Sequence, residues 1–133
     1  MANRPIYPDT IKNATLEVEN GDGTTSQDLL TAGANGSRIN YISVSSDDTV
    51  AVILELYYND LTTDFLIGSI TIPAGAGTDG TTPPVSLLNA TAMPFLGEDL
   101  AYYLEALDKL KIAAKVAVTA AKKVTLVASY GDY

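Results

Sequence analysis

The decisive stretch is TVAVILELYY, residues Thr49–Tyr58. Val50, Val52, Leu54 and Leu56 fall on one side of an extended chain, and Ala51, Ile53, Glu55 and Tyr57 on the other. Successive side chains of a strand point to opposite faces, so this period of two predicts a strand with the first set inward. Its β-branched and aromatic residues fit a pleated, half-buried surface. The preceding RINYISVSS, Arg38–Ser46, alternates in the same way, with Ile42 and Val44 opposed to Ser43 and Ser45. Ser46-Asp47-Asp48 lies between them as a turn, and the two stretches read as a hairpin.

The same grammar extends in both directions. Asn59–Thr63 is a turn, and Phe65–Ile72 is a further strand that ends at Pro73, which has no donor for a ladder. Upstream, Asn13–Glu19 alternates weakly through Leu16 and Val18. Asn20–Thr24 and Gly33–Ser37 are turn sequences on either side of a short strand, Gln27–Ala32. Downstream, Pro73–Pro84 is a loop of Gly, Ala, Thr and Pro. Val85–Leu88 is short and apolar, and Met93-Pro94 interrupts the chain again.

Residues 99–123 support two readings. Leu100, Tyr103, Leu104, Leu107, Leu110, Ala114 and Val118 recur at helical spacing, with Glu98 and Asp99 suited to a first turn and Lys122 and Lys123 to a last. Leu110, Ile112, Ala114, Val116 and Val118 also alternate as a strand would, and Val124, Leu126, Ala128 and Tyr130 continue that pattern. A short helical turn near 99–107 followed by strands reconciles the two. Seven to nine short strands between Gly, Pro and Asp turns predict a mainly β chain: an antiparallel, jelly-roll-like β-sandwich with at most one short helix. Residues 1–10, with Pro5 and Pro8, read as an N-terminal arm, and residues 11–133 as a single domain.

Composition narrows the function. Hydrophobic residues are 47% of the 133 and charged residues only 18%, so the chain can build a core and has little charged surface to spare. Sixteen acidic residues against eight basic ones give a net charge of -8. Phosphate backbones and anionic membranes are bound by clustered Lys and Arg, so neither nucleic acid nor membrane is an expected partner. The sequence has no Cys and no His. Disulfides, thiolate or imidazole metal ligation and Ser-His-Asp or Cys-His catalysis are therefore excluded. The N-terminus lacks the apolar run of a signal peptide, and no stretch of about 18 apolar residues could span a bilayer.

The motifs present are weak. Gly75-Ala76-Gly77-Thr78-Asp79-Gly80 matches G-x-G-x-x-G, but Pro83-Pro84 follows where a phosphate site needs a helix N-terminus. Asn20-Gly21-Asp22-Gly23-Thr24 starts like a calcium loop, yet the twelfth position is Thr31 rather than Glu. Glu55, Asp64, Glu98, Asp99 and Glu105 offer no two carboxylates that spacing brings together. The expectation is a structural or binding protein, not an enzyme, with no cofactor and no metal. Eight Tyr against two Phe and no Trp is the unusual usage. In the adjacent pairs Tyr57-Tyr58 and Tyr102-Tyr103 one ring must face outward, which makes Tyr57 and Tyr103 candidate interface aromatics.

Several segments together carry a resemblance: Ala2-Asn-Arg-Pro-Ile-Tyr-Pro-Asp-Thr-Ile-Lys-Asn13, Leu29-Leu-Thr-Ala-Gly-Ala-Asn-Gly-Ser37, Ile42-Ser-Val-Ser-Ser-Asp-Asp-Thr49, Gly68-Ser-Ile-Thr-Ile-Pro-Ala-Gly-Ala-Gly77 and Val127-Ala-Ser-Tyr-Gly-Asp-Tyr133. In this order the chain resembles small virion structural proteins of tailed phages and prophages, in particular capsid decoration (cement) proteins. The resemblance implies an all-β protein made in a bacterial cytoplasm and placed on the capsid surface, with the major capsid protein as partner. It favours strands in the C-terminal third, and it implies a Gly-Lys turn before the last strand, where this chain has Ala120-Ala121-Lys122. Symmetric shell sites are commonly filled by symmetric oligomers, so a homo-oligomer is expected. Arg4, Pro5, Ile6, Tyr7 and Pro8 in the arm are the first candidate capsid contacts and the Gly/Pro loop at 73–84 the second; a tail, neck or fibre-associated protein or a carbohydrate-binding adhesion module are the alternatives.

Overall fold

The computed structural model describes residues 8–133. Nine strands form among these residues: β1 Thr10–Glu19, β2 Gln27–Thr31, β3 Ser37–Ser46, β4 Val52–Asn59, β5 Asp64–Ile72, β6 Val85–Ser86, β7 Tyr102–Leu104, β8 Lys109–Ala114 and β9 Lys123–Asp132. A single 3-10 turn, Asn20–Asp22, is the one helical element among the described residues. Two antiparallel sheets pack face to face. The first runs β1-β9-β3, with both β6 and β7 on the far side of β3; the second runs β2-β8-β4-β5.

β6 pairs with Ser43 and Val44, and β7 pairs with Ser37–Ile39 of the same strand. They are two pieces of one strand, interrupted by residues 87–101. Counted as one, they leave four strands in each sheet. Only the β4–β5 connection joins hydrogen-bonded neighbours within a sheet; the others pass from one sheet to the other. That order is the double Greek key of a jelly roll. The mainly β sandwich expected from the alternating segments is the observed fold.

The core follows from the alternation. Ile39, Ile42, Val44, Val124, Leu126 and Ala128 enter from the first sheet, and Val52, Leu54, Leu56, Ile72, Leu110 and Ile112 from the second. Each such large side chain contributes roughly 1.5–3 kcal/mol by leaving water. The 87–101 excursion adds Leu87, Leu88 and Met93, all buried, to the same cluster.

Three sequence expectations fail for identifiable reasons. β3 and β4 are not a hairpin: they lie in different sheets, and the hairpin is β4–β5. Both strands present an apolar face to the same core from opposite sides, a pattern that alternation alone cannot distinguish from side-by-side pairing. Val50 is not inward but 57% exposed, because β4 begins at Val52. No helical turn forms at 99–107. Leu100 and Leu107 adopt positive φ, 52° and 66°, which breaks a right-handed helix, and β7 lies between them.

The β3–β4 crossing is held by a buried acid. Asp48 is 1% exposed, and its carboxylate accepts from the Thr119 N–H at 2.9 Å, the Thr119 hydroxyl at 2.8 Å and the Val50 N–H at 3.1 Å. Burial works against its charge, but these donors outweigh burial and hold the carboxyl below the ordinary aspartate range. Since the folded value is the lower one, the stabilisation is complete above the unfolded pKa of ~3.9 and is lost as pH falls through the folded value. Asp48→Asn keeps one acceptor for three donors. It should lower unfolding stability by about 2 kcal/mol and flatten its pH dependence below ~4, as read by urea titration at several pH values. The turn before β9 gives a second test. Ala121 sits at φ 65°, and the Lys122 N–H donates to the Thr119 carbonyl at 3.0 Å, so the left-handed turn exists with alanine where glycine would fit. Ala121→Gly should raise stability by up to about 1 kcal/mol in the same titration.

Candidate interaction surface

One end of the sandwich gathers six of the twelve exposed large apolar side chains among the described residues. The ladder row Thr10, Asp132, Ser37, Leu104 ends the first sheet, and the row Thr31, Lys109, Asn59, Asp64 ends the second. The Ala32 N–H donates to the Asp108 carbonyl at 2.8 Å and the Leu107 N–H to the Gly33 carbonyl at 3.2 Å, so both rows close the same end. Three connections lie there, residues 32–36, 60–63 and 105–108, beside the start of β1 and the end of β9. Around this end Ile11 is 82% exposed, Leu61 57%, Leu66 56%, Tyr103 55%, Leu107 52% and Phe65 51%. At the opposite end Val50 and Val116 are the large apolar side chains exposed on loops.

The loops at the apolar end are fixed. Leu61 tips the β4–β5 hairpin at φ 81°; its N–H donates to Asn59 Oδ1 at 2.8 Å, and Asp60 Oδ1 accepts from the N–H groups of Thr62 and Thr63 at 3.1 and 2.8 Å. The Tyr58 hydroxyl donates to the Asp108 carboxylate, which ties the end of β4 to the 105–108 turn that carries Leu107. Asp108 is 6% exposed. The 32–36 loop packs so closely that a Cβ on Gly33 would lie 2.7 Å from the Asp132 carboxyl carbon, and one on Gly36, at φ 88°, would lie 2.9 Å from the Leu104 carbonyl oxygen. The Ser37 hydroxyl and the Lys12 ammonium, at 2.6 Å, hold Asp132 in place.

Cations at this end are already partnered. Besides Lys12 on Asp132, Lys109 lies 2.9 Å from Asp28, Lys111 lies 3.6 Å from Asp28 and 3.8 Å from Asp64, and Arg38 lies 3.4 Å from Asp99. Asp60 and Glu105 have no cationic partner among the described residues. Asp60 lies below the ordinary aspartate range because the Thr63 N–H and the Thr62 side chain and N–H donate to it. The rim around the apolar side chains is therefore acidic.

The predicted contact residues distribute unevenly. Arg4, Pro5, Ile6 and Tyr7 lie outside the described residues. Pro8 lies against Gly131, where a Cβ would collide with it, and the Asp9 N–H donates to the Asp132 carbonyl, so the arm leaves from the apolar end. Each tyrosine pair does divide between faces. Tyr58 and Tyr102 turn toward the core, while Tyr57 and Tyr103 face outward on different sheets and do not form one site. Tyr57 donates to Glu55 at 3.0 Å; Tyr103 donates to Asp99 at 2.7 Å beneath the Arg38 guanidinium, 5.9 Å from its ring centre. The sequence did not mark Leu61 or Leu107 as contacts: Leu61 reads as a lone leucine in the Asn59–Thr63 turn, and Leu107 as one of the helically spaced apolar residues of 99–123.

The Gly75–Gly80 loop is not a phosphate cradle. Asp79 Oδ1 accepts from the N–H groups of Thr81 and Thr82 at 2.9 and 2.7 Å and so fills the position an anion would take; these bonds pull its pKa down to about 2. The Asn20–Thr24 segment is a 3-10 turn closed by Asp22 accepting from the Glu19 N–H at 2.8 Å. Among the described residues no group of three or more acidic ligands is placed to hold a metal ion, and no helix is long and apolar enough to cross a membrane. A shallow depression of about 200 Å³ lies between Tyr41 and Val85 on the first sheet, with the Tyr41 phenol as the one titratable group in its lining.

The architecture is thus a jelly-roll β-sandwich with one apolar, acid-rimmed end. Solved structures share the fold. Over 94% of this chain and 90% of theirs, it superposes with a TM-score of 0.61 and 14% identity on a chain of the acid-stable capsid structure of Helicobacter pylori bacteriophage KHP30. A second likeness, TM-score 0.50 and 9% identity over 92% of this chain and 97% of the other, is to the Drosophila NLP core, a structure described in terms of pentamer formation and histone binding. A chain of the cyanophage Pam1 capsid asymmetric unit gives a TM-score of 0.48 at 13% identity. No protein-family model and no curated protein sequence matches the chain. The fold is one found in a phage capsid structure.

Tyr58 offers a test of how the apolar end is held. Its hydrogen bond to Asp108, with burial adding, pushes its pKa up to about 12. The folded value exceeds the unfolded one of ~10, so this stabilisation is complete below pH ~10 and is lost as pH rises toward 12. Tyr58→Phe should cost roughly 1–3 kcal/mol at neutral pH and remove much of the loss of stability between pH 10 and 12 in thermal melts.

Proposed function

We propose that this chain is a virion structural protein that binds the outer surface of a phage capsid as a decoration (cement) protein and stabilises the shell. The observation that carries this reading is the superposition on a chain of a phage capsid structure, which spans nearly the whole of both chains. The resemblance of five ordered sequence segments to decoration proteins points the same way. The role is non-catalytic. A cement protein works by burying surface across joints between shell subunits, and many modest contacts repeated over a lattice sum to a large effect.

The proposed partner is the major capsid protein, reached in part through Arg4, Pro5, Ile6, Tyr7 and Pro8. A homo-oligomer on the shell is part of the proposal. One sheet edge supports it: among the described residues β5 pairs only with β4, with Phe65, Leu66, Ile67 and Ile70 along an edge whose sole charge is Asp64. Long apolar edges are usually covered in the native assembly. Net charge -8 argues against nucleic acid and anionic membrane as partners.

The test adds tagged protein to heads and tails purified without it and follows cosedimentation. Saturable binding to heads, with a higher temperature of shell disruption, is the expected result, and Ile6→Ala with Tyr7→Ala should weaken that binding. Binding to tails alone would replace the reading with a tail or neck component. Binding to neither would remove it.

A further inference from the structure

Leu61 and Leu107 are unusual in a way that their sequence context does not require. Each lies at the tip of a connection on the same end of the sandwich, each is more than half exposed, and each is held at positive φ, 81° and 66°. Left-handed backbone strains any residue with a Cβ, and glycine or asparagine would relieve it at a turn. A leucine there gains little burial in the isolated chain, so both the strain and the exposed apolar surface remain without compensation. Strained backbone that the surroundings over-determine is a mark of functional positions. Here the determination is explicit: Asn59 and Asp60 fix the first tip, and the Gly33 carbonyl fixes the second through the Leu107 N–H. The Tyr58–Asp108 hydrogen bond joins the two turns into one rigid unit.

We propose that this end of the sandwich is the docking face, and that Leu61 and Leu107 are preorganised anchors entering apolar pockets on a partner whose surrounding surface is basic. The inference rests on the capsid-binding reading and names the occupant as the major shell protein. Two features favour that occupant over a second copy of this chain. Lys12, Arg38, Lys109 and Lys111 around this end are already paired to acids, whereas Asp60 and Glu105 beside the anchors have no cationic partner among the described residues. Two copies meeting end to end would bring acidic rims together, while a basic rim would complement them. The arm also begins here. Residues 1–7 span at most about 25 Å when fully extended, so they and the anchors can engage one partner surface. Anchors held rigid before binding lose little freedom on docking, which suits a small footprint.

The experiment measures the affinity of purified protein for heads assembled without it, alongside its melting temperature. Leu61→Asn and Leu107→Asn should each weaken binding at least tenfold with a melting temperature equal to or above that of the unsubstituted protein. Val116→Asn, at the opposite end and 74% exposed, should bind as the unsubstituted protein does. Glu105→Lys should weaken binding several-fold, because it opposes a basic rim. Its side chain makes no hydrogen bond in the described structure, so it tests the rim independently of the turns. Unchanged binding by both leucine variants, or tighter binding by Glu105→Lys, would overturn the docking face while leaving the capsid-binding reading in place. If the unsubstituted protein fails to bind heads, the reading and the inference fall together.

Discussion

Everything in this structure hangs on β9. It is the last strand of the chain, yet it lies inside its sheet and pairs with β1 from Thr10 to Glu19 on one side and with β3 from Ser37 to Ser46 on the other. Val124, Leu126, Ala128 and Tyr130 project from it into the core. The first sheet therefore cannot close until the C-terminus is in place, and its pairings join residues about a hundred positions apart. Such long-range closure is slow to form, because loop entropy is spent before contacts repay it. It also fixes where the ends of the chain lie. Asp132 carries the Lys12 and Ser37 contacts at one corner, so the start of β1, and with it the arm, is placed at the apolar end by the strand that closes the sheet.

Much of this was legible from the order of residues, and the failures are instructive. Period-two alternation found β3, β4, β5 and β9 because each buries one face against a single core. It did not reveal partners. Ile42 and Val44 on β3 and Leu54 and Leu56 on β4 enter one core from opposite sheets, and nothing in an alternating pattern separates that relation from hairpin pairing. The interrupted strand was also hidden. Val85-Ser86 and Tyr102–Leu104 are too short to be read as strands, and only a shared neighbour, β3, reveals them as one. At 99–107 the apolar spacing imitates a helix, and the structure departs from it through two leucines in left-handed conformation. Leucine carries no sequence signal for that conformation, which is why Leu61, Leu100 and Leu107 escape a reading that looks for Gly or Asn.

The same limit separates the predicted contacts from the surface that the structure assembles. Tyr57 and Tyr103 were marked by their abundance as aromatics, and each does face outward, but they stand on opposite sheets and bond to their own neighbours. Arg4, Pro5, Ile6 and Tyr7 were marked by composition, and Pro8 shows which end they leave from. Buried carboxylates do much of the positioning. Asp48 fixes the crossing at one end and Asp108 the turns at the other, and both are bonded to partners far away in sequence. Charge that would otherwise crowd the surface of an acidic chain is thus partly used inside it, and what remains outside leaves an acidic rim around exposed leucines. A rigid scaffold with function carried on loops at one end is a common division of labour in β-sandwiches.

The most direct test of this account is hydrogen–deuterium exchange of the protein free and bound to heads. Slower exchange on binding is predicted at residues 8–12, 32–36, 59–66 and 104–109, with little change at 47–51, 73–84 and 115–122. Protection confined to the second set would place the contact on the opposite end of the sandwich and contradict the assignment of the apolar end as the face that meets the shell.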